Sequence, residues 1–568
     1  MFSFRSAASI LNPEKCPRFC GILLEVTRMT SRNKFKGTVE LKKEKLRKLK
    51  NVMNKETEEK FSNGADYYKM RCQEIKHFKE RGQNPYPHEF EVTISLEDFV
   101  NRYTSSLKKG QSLKEDILSV SGRILSIRKS SSKLIFYVLR ERKRCIQILA
   151  SASLYPSNEE FLEITDTFKR GDIIGIKGYP CRSKCGELSI VPINMQLLAP
   201  CLHLIPDLYY GLKNNNTRFK ERCVDLFINS KSHDALTIHS DIREFIRNYL
   251  VTHKFFDAET PICVANPGGA NAKPFMTHHN ALDMNLYLRV SPELNLKKLI
   301  IGGHKRVFEI GRVFRNEGID KIHHPEFTMC EFYMTDGNHS GLLKFVENLL
   351  SEMIKTLNGS YIIKYKPDGL EGKEYDIDFT PPFKRIKIWP ALEDALGIKL
   401  PDPKTLNSTE ANQIFSNLCN NYKIECSVPR TTVRLISKLI EHFLEGALVN
   451  PTFLCEHPEI ISPLAKSHPE IEGLAQRFEV FVMGMEIVNA YSELNDPKEQ
   501  RKKFEAQLCD RAVGDDEALI IDEDYLKALE YGLPVTHGCG VGIDRLAMLL
   551  TNVNSIKEVI SFPLLKTE

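Results

Sequence analysis

At 568 residues the chain has length for three or four domains of ordinary size, and its 79 basic against 74 acidic residues leave a net charge of only +5, which excludes a uniformly basic nucleic-acid coat. An apolar share of 42% and a charged share of 27% belong to a globular chain with large cores, so disorder can only be local. The charge is uneven: residues 1–60 and residues 101–200 each carry eight more basic than acidic side chains, and residues 201–568 are net acidic.

The first 28 residues, opening MFSFRSAASILNP, are compatible both with a mitochondrial presequence and with a plain tail, and Met29 could serve as a second start. From Arg32 to Lys60 the chain is a highly basic helix candidate with only Leu46, Leu49 and Met53 in apolar register. Two readings fit it, a solvated helix or a sequence-blind phosphate-binding arm. Between Ile117 and Leu198 five strand-like runs alternate with turn signals, and the stretch SNEEFLEITDTFKRG precedes the fourth; this predicts a small closed barrel of the oligonucleotide-binding type. Its basic excess suits a nucleic acid, with Phe136 placed to stack on a base and Arg128 to meet phosphate or base, although a protein-binding barrel fits the pattern as well. The longest charge-free stretch, Leu188 to Pro206, holds three prolines and is no membrane helix. Fifteen cysteines, an odd number spread thinly, suit a reducing compartment, and the CxxxC pairs Cys16/Cys20 and Cys181/Cys185 lack the spacing of a zinc ribbon.

Further on, Ile238, Ile242, Phe245, Ile246 and Tyr249 predict an amphipathic helix over 237–251, with Glu259-Thr260-Pro261 as its breaker. RVFEIGRVFRN (306–316) and EFTMCEFYM (326–334) read as two strands joined by a polar loop, with Arg315 at the end of the first and Glu331 and Tyr333 on one face of the second. In MEIVNAYSELND, Asn489, Tyr491 and Glu493 share a strand face, which makes a polar pocket wall rather than a core. Glu479 and Glu486, on adjacent strands, are either ordinary surface acids or a pair that converges on Mg²⁺. HGCGVGIDRLAMLL runs glycines into an apolar helix whose first turn holds Asp544 and Arg545; it is either a plain strand-to-helix turn or a tight backbone against which a nucleotide rests, with Arg545 reaching its phosphate. A Walker loop and a GxGxxG after a strand are both absent from the sequence.

With FRNEGI…HHPEFTMCEFY, GVGIDRLAM, PGGANAKPF and NAYSELNDP in order, the chain from about Tyr67 to Glu568 resembles class II lysyl-tRNA synthetases of the eukaryotic cytosolic type. The resemblance implies an α+β fold: an antiparallel-sheet catalytic domain (206–568), an N-terminal OB-fold β-barrel (111–205), a helical linker (61–110) and a basic helical extension (1–60). It implies lysine–tRNA ligation from ATP, L-lysine and lysine tRNA, with Mg²⁺. A homodimer through the first motif's helix and Pro261 is expected, and a multi-synthetase complex as a further partner. It implies a cytoplasmic location, with a mitochondrial form left open by residues 1–28, and no membrane. Carried over, Arg315 and Arg545 are catalytic, Arg315 at the α-phosphate and the lysine carboxylate and Arg545 at the γ-phosphate. Glu317, His323, Phe327, Glu479 and Gly542 complete the ATP site, and Glu479 with Glu486 holds the metal. Gly269, Ala270, Glu293, Glu331, Tyr333, Asn489, Tyr491 and Glu493 bind lysine: Glu293 and Glu331 its α-amino end, Tyr333 with Glu493 its ε-ammonium. Arg128, Phe136, Gln147 and Glu187 read the anticodon. His324, Asn295, His537, Cys539 and Val138 depart from the family's usual residues. An aspartyl or asparaginyl enzyme would want Arg or Lys where Glu493 stands.

Overall fold

The computed structural model describes residues 64–206, 211–369 and 371–566, so the presequence-like start and the basic arm lie outside the described residues. Two compact units divide the chain, one running to Asn215 with Cys223–Ser230, the other holding Asn216–Arg222 and Lys231–Glu568.

The first unit begins with helices α1 (Gly64–Glu80) and α2 (Leu96–Tyr103). Strands β1 (Leu118–Ser131), β2 (Leu134–Glu141), β3 (Arg144–Ser151), β4 (Ile173–Arg182) and β5 (Leu188–Ala199) close a barrel in the order β1-β2-β3-β5-β4, with β4 returning to β1. Alternation makes the barrel: Ile135, Tyr137 and Leu139 point inward and join Ile146, Ile148 and Ile174 in one core. The polar stretch before the fourth strand is helix α3 (Asn158–Thr167), capped by Ser157, whose hydroxyl accepts from the Glu160 amide. Gly178 sits at a bulge where a β-carbon would come within 2.2 Å of the Val191 carbonyl oxygen, so only glycine lets β4 and β5 close there.

The second unit is built on an eight-stranded sheet. Its strands are β6 (Phe256–Asp257), β7 (Arg306–Phe314), β8 (Glu326–Met334), β9 (Lys384–Lys387), β10 (Thr452–Cys455), β11 (Arg477–Val482), β12 (Met485–Ser492) and β13 (His537–Gly542), in the order β9-β10-β11-β12-β13-β8-β7-β6. The six central strands are antiparallel, and only the short edge strands β9 and β6 pair in parallel. One sheet face presents Phe308, Cys330, Phe332, Val488, Ala490, Cys539 and Val541 to helices α4 (Ser230–Thr252), α6 (His339–Asn358) and α7 (Ile543–Thr551), forming the main core. Helix α4 differs from the expected 237–251: its buried stripe starts earlier, at Ser232 and Ala235, and it stops at Thr252, where Lys254 turns left-handed (φ 65°). The breaker Glu259-Thr260-Pro261 therefore lies beyond β6 rather than at the helix end. Helices Ile388–Leu396, Thr409–Asn421 and Thr432–Phe443 make a separate core around Trp389 and Phe415. On the other sheet face, α5 (Glu293–Ile301) and the helix Glu523–Glu530 pack over Tyr333 and Val307.

Candidate active site

Pairing register lines up the polar residues on the face opposite the main core. Glu331 stands across from Gly540, Gly540 from Asn489, and Asn489 from Glu479. Two residues along each strand, Tyr333, Gly538, Tyr491 and Arg477 form a second row. The glycines of β13 are the lowered middle of this floor. A β-carbon on Gly538 would lie 2.1 Å from the Glu493 Oε1 and 2.5 Å from the Tyr333 ring.

At one end three carboxylates, Glu293, Glu331 and Glu493, are each almost fully buried. Ser291 and Tyr333 hydroxyls donate to the two oxygens of Glu331 at 2.7 and 2.8 Å, and the Tyr491 hydroxyl donates to Glu293 Oε2 at 2.7 Å. Tyr333 therefore serves Glu331 here rather than Glu493. The remaining oxygen of Glu293, Oε1, takes the ammonium of Lys297 at 2.5 Å, and the same ammonium pairs with Glu493 Oε2. Burial, followed by the neighbouring Glu293, pushes the Glu331 carboxyl up to about 7. The Gly269-Ala270 loop reaches this end because Gly269 adopts φ +90° and lies against Ser291 and Glu293, where a β-carbon would come within 2.9 Å of either side chain.

At the other end Arg315 follows β7, its guanidinium carbon 5.1 Å from the centroid of the Phe327 ring, and its buried Nε has no hydrogen-bond partner among the described residues. A half-buried guanidinium with an unused buried donor is suited to an anionic ligand. Arg545 at the start of α7 donates to the Glu486 carbonyl at 2.6 Å and to His323 Nε2 at 3.0 Å. Because arginine can only donate, His323 accepts there and presents its Nδ1 proton to Asp320 at 2.8 Å. Glu317 is exposed on the same loop. Asp544 anchors the next turn of the floor by accepting from the Thr328 amide at 2.6 Å. Gly542, where β13 enters α7, is opposite Met329, and a β-carbon there would meet only the Ile487 carbonyl, at 3.8 Å. The departures do not crowd this end. His324 accepts from the Leu564 amide at 3.0 Å and donates to the Glu326 carbonyl at 2.6 Å, which ties down the C-terminal segment. Cys539 faces the main core, and His537 meets Ser492 at 3.0 Å.

Glu479 is held by Arg477 at 2.6 Å and by His457 at 3.1 Å. Burial would raise its carboxyl, but Arg477 and then His457 hold it down at about 2. Glu486 is pushed up by burial and by Glu479, and Glu445, close to both, is pushed up to about 8 by burial and then by those two carboxylates. Among the described residues no group of three or more ligating side chains could cage a metal by itself. Glu479 and Glu486 still fit Mg²⁺, which is usually bound by one or two carboxylates with phosphate oxygens and water completing the octahedron.

The first unit carries its own row. Arg128 and Phe136 are cross-strand partners on β1 and β2, with the guanidinium 4.6 Å from the ring centroid. Gln147 pairs with Val138 on the same side; it is nearly buried, and its amide donates to Ser189 at 2.9 Å. Glu187 is half-buried in the turn before β5.

Sequence reasoning missed Lys297, Arg477, His457 and Glu445. Lys297 has a legible signal, i,i+4 from Glu293 on one helix, and Arg477 is two residues before Glu479 on one strand. The other two reach the site through long-range folding and leave no local signature.

Residues 214–566 match the family model "tRNA synthetases class II (D, K and N)", and residues 118–198 match "OB-fold nucleic acid binding domain". A lysine–tRNA ligase of Cladosporium cladosporioides is 42% identical over 92% of this chain and 88% of its own. The chain belongs to the lysyl branch of the class II tRNA synthetases. It is thus an aminoacyl-tRNA ligase of a family that uses ATP. A probable cytoplasmic lysine–tRNA ligase of Vairimorpha ceranae is likewise 42% identical, over 89% of this chain and 96% of its own, and the lysine–tRNA ligase of Bacillus subtilis is 37% identical over 88% and 97%.

Proposed function

We propose that this site joins L-lysine to lysine tRNA in two steps. The lysine carboxylate attacks the α-phosphorus of ATP and pyrophosphate leaves; the terminal ribose hydroxyl of the tRNA then attacks the lysyl carbonyl and AMP leaves. The observation that carries the choice of amino acid is the buried trio Glu293, Glu331 and Glu493 at the end of the floor. A diammonium substrate neutralises such a wall, whereas aspartate or asparagine would leave it unpaired and so be rejected strongly.

No side chain acts as a nucleophile. Arg315, with its unused buried donor, sits where it can hold the lysine carboxylate against the α-phosphate, and Arg545 meets the γ-phosphate. Phe327 stacks on adenine, while Glu317 and His323 position the base and the bent triphosphate over Gly542. Asn489 contacts the lysine carboxylate, Tyr333 and Tyr491 orient Glu331 and Glu293, and Gly269-Ala270 closes over the amino acid. Mg²⁺, held by Glu479 and Glu486, would neutralise phosphate charge. Preorganised cations and orientation supply the acceleration. The barrel face of Arg128, Phe136, Gln147 and Glu187 reads the anticodon. Exposed Val251, Phe256, Ile262, Met276 and Leu282, near Pro261 in sequence, support a homodimer through that region. The relatives named as cytoplasmic support the same location for this chain.

ATP–pyrophosphate exchange with each of the twenty amino acids tests the reading. Lysine alone should support rapid exchange; aspartate or asparagine as the preferred substrate would overturn it.

A further inference from the structure

The lysine end of the site contains a cation of its own. Lys297 is fully buried, projects from α5 one turn after Glu293, and its ammonium lies between Glu293 Oε1 and Glu493 Oε2, 5.8 and 5.7 Å from the ring centroids of Tyr491 and Tyr525. The carboxylate oxygens can be assigned one by one. Both oxygens of Glu331 accept from hydroxyls, those of Glu293 are taken by Tyr491 and Lys297, and Glu493 Oε2 is taken by Lys297. Glu493 Oε1, buried against Gly538, has no hydrogen-bond partner among the described residues, and Oε2 is the oxygen closest to the Lys297 ammonium.

Resting on the lysine reading above, we propose that Lys297 is a positioning and specificity residue: a resident ammonium that pairs with Glu293 and with Glu493 Oε2 and so turns the Glu493 carboxyl to offer Oε1 to the ε-ammonium of the substrate. The charge count agrees. Three carboxylates with one resident ammonium leave two negative charges, and lysine brings two ammonium groups while its carboxylate goes to Arg315. Without Lys297 the same wall would keep one charge too many, and buried like charges respond by taking up a proton. The titratable groups facing Glu493 are Lys297 and Glu293 from α5, Glu331 and Tyr333 from β8, Tyr491 from β12, and Tyr525. Burial drives the Glu493 carboxyl well above the usual carboxylate range; Lys297 draws it down and the neighbouring carboxylates add to the rise, so loss of Lys297 would raise it further. Burial works against the charge on Lys297 too, but Glu293 and Glu493 outweigh it and hold the ammonium well above its usual range.

The test is lysine-dependent ATP–pyrophosphate exchange by the full chain and by Lys297→Met, which keeps the length of the side chain and removes its charge. At pH 7.5 the variant should show a lysine KM raised by about 100-fold, as for a buried charge stripped of its partner, with the ATP KM within about twofold of the unaltered enzyme. Between pH 7.5 and 9 its lysine KM should fall by about tenfold per pH unit as Glu493 loses its proton, a clearly steeper fall than in the unaltered enzyme, where Lys297 favours the ionised form. A packing role for Lys297 would not produce that slope. A lysine KM within about threefold of the unaltered enzyme, or a raised KM with the unaltered pH profile, overturns the proposal. Should Lys297→Met fail to fold, Lys297→Gln is measured in its place with the same two readouts. No lysine-dependent exchange by the unaltered enzyme would overturn the lysine reading itself, and this inference with it; normal exchange there and an unaffected variant would overturn this inference alone.

Discussion

Arg315 and Glu331 show how burial turns ordinary side chains into chemistry. Arg315 keeps a buried donor without an acceptor among the described residues, so if it holds the reacting carboxylate and phosphate as proposed, its removal should cost both together. Arg315→Ala is expected to lower the exchange rate by at least about a thousandfold, in line with the loss of a preorganised charge at a transition state; near-normal exchange would refute the role. Glu331 has its carboxyl raised to about 7 by burial first and Glu293 second, with Ser291, Tyr333 and Arg315 facing it and pulling the other way. A carboxyl raised on folding binds more protons in the native state than in the unfolded chain between its ordinary value and about 7. Its contribution to stability is therefore fully present below the ordinary carboxylate range and is lost as pH rises toward 7. Lysine needs the ionised form, so its affinity runs the opposite way. The lysine KM should fall as pH rises from 6 to 7 and level off above 7.5. The Glu331→Gln variant should bind lysine weakly with no such slope; steady-state KM measured across that range decides it.

At the scale of the element, β13 is a strand whose outward side chains have been deleted. Gly538, Gly540 and Gly542 alternate with Cys539 and Val541, so one face packs in the main core and the other is bare backbone in the middle of the polar floor. Gly538→Ala would set a methyl group against Glu493 Oε1 and the Tyr333 ring. Overpacking of this kind costs about 1–3 kcal/mol, which, if it falls on the lysine-bound state, corresponds to a rise in the lysine KM of roughly 5- to 150-fold while the ATP KM holds. An unchanged lysine KM would mean that the floor yields. In the sequence HGCGVG reads as glycines turning into an apolar helix, without its strand alternation, whereas the strand-loop-strand of β7 and β8 was legible from period-two patterning. The helical group around Trp389 and Phe415 was not singled out, because short apolar stripes at helical spacing say that an element is amphipathic without saying which core it joins.

For the molecule as a whole, the small net charge of +5 joins a basic front to an acidic body. Five strand signals and one polar interruption sufficed to foresee the barrel, since alternation is a local property of the chain. If the basic residues before Phe61 bind phosphates, a chain beginning at Phe61 should retain lysine activation and bind tRNA at least about tenfold more weakly, with a shallower dependence on salt. Equal affinity, measured by filter binding at two ionic strengths, would assign residues 32–60 to a solvated tail.

The sequence alone determined the family, the two strands of the central motif, the glycine-rich turn into the last helix and most of the site's residue types, because motifs and periodicities are written in neighbouring positions. Only the tertiary structure decided which groups meet. It set Tyr333 on Glu331, gave Glu479 the company of Arg477 and His457, and placed Lys297 between Glu293 and Glu493. The physical reason is that burial makes unpaired charge costly, so each buried carboxylate takes whichever donor the fold brings within reach, and that donor can stand anywhere in the chain.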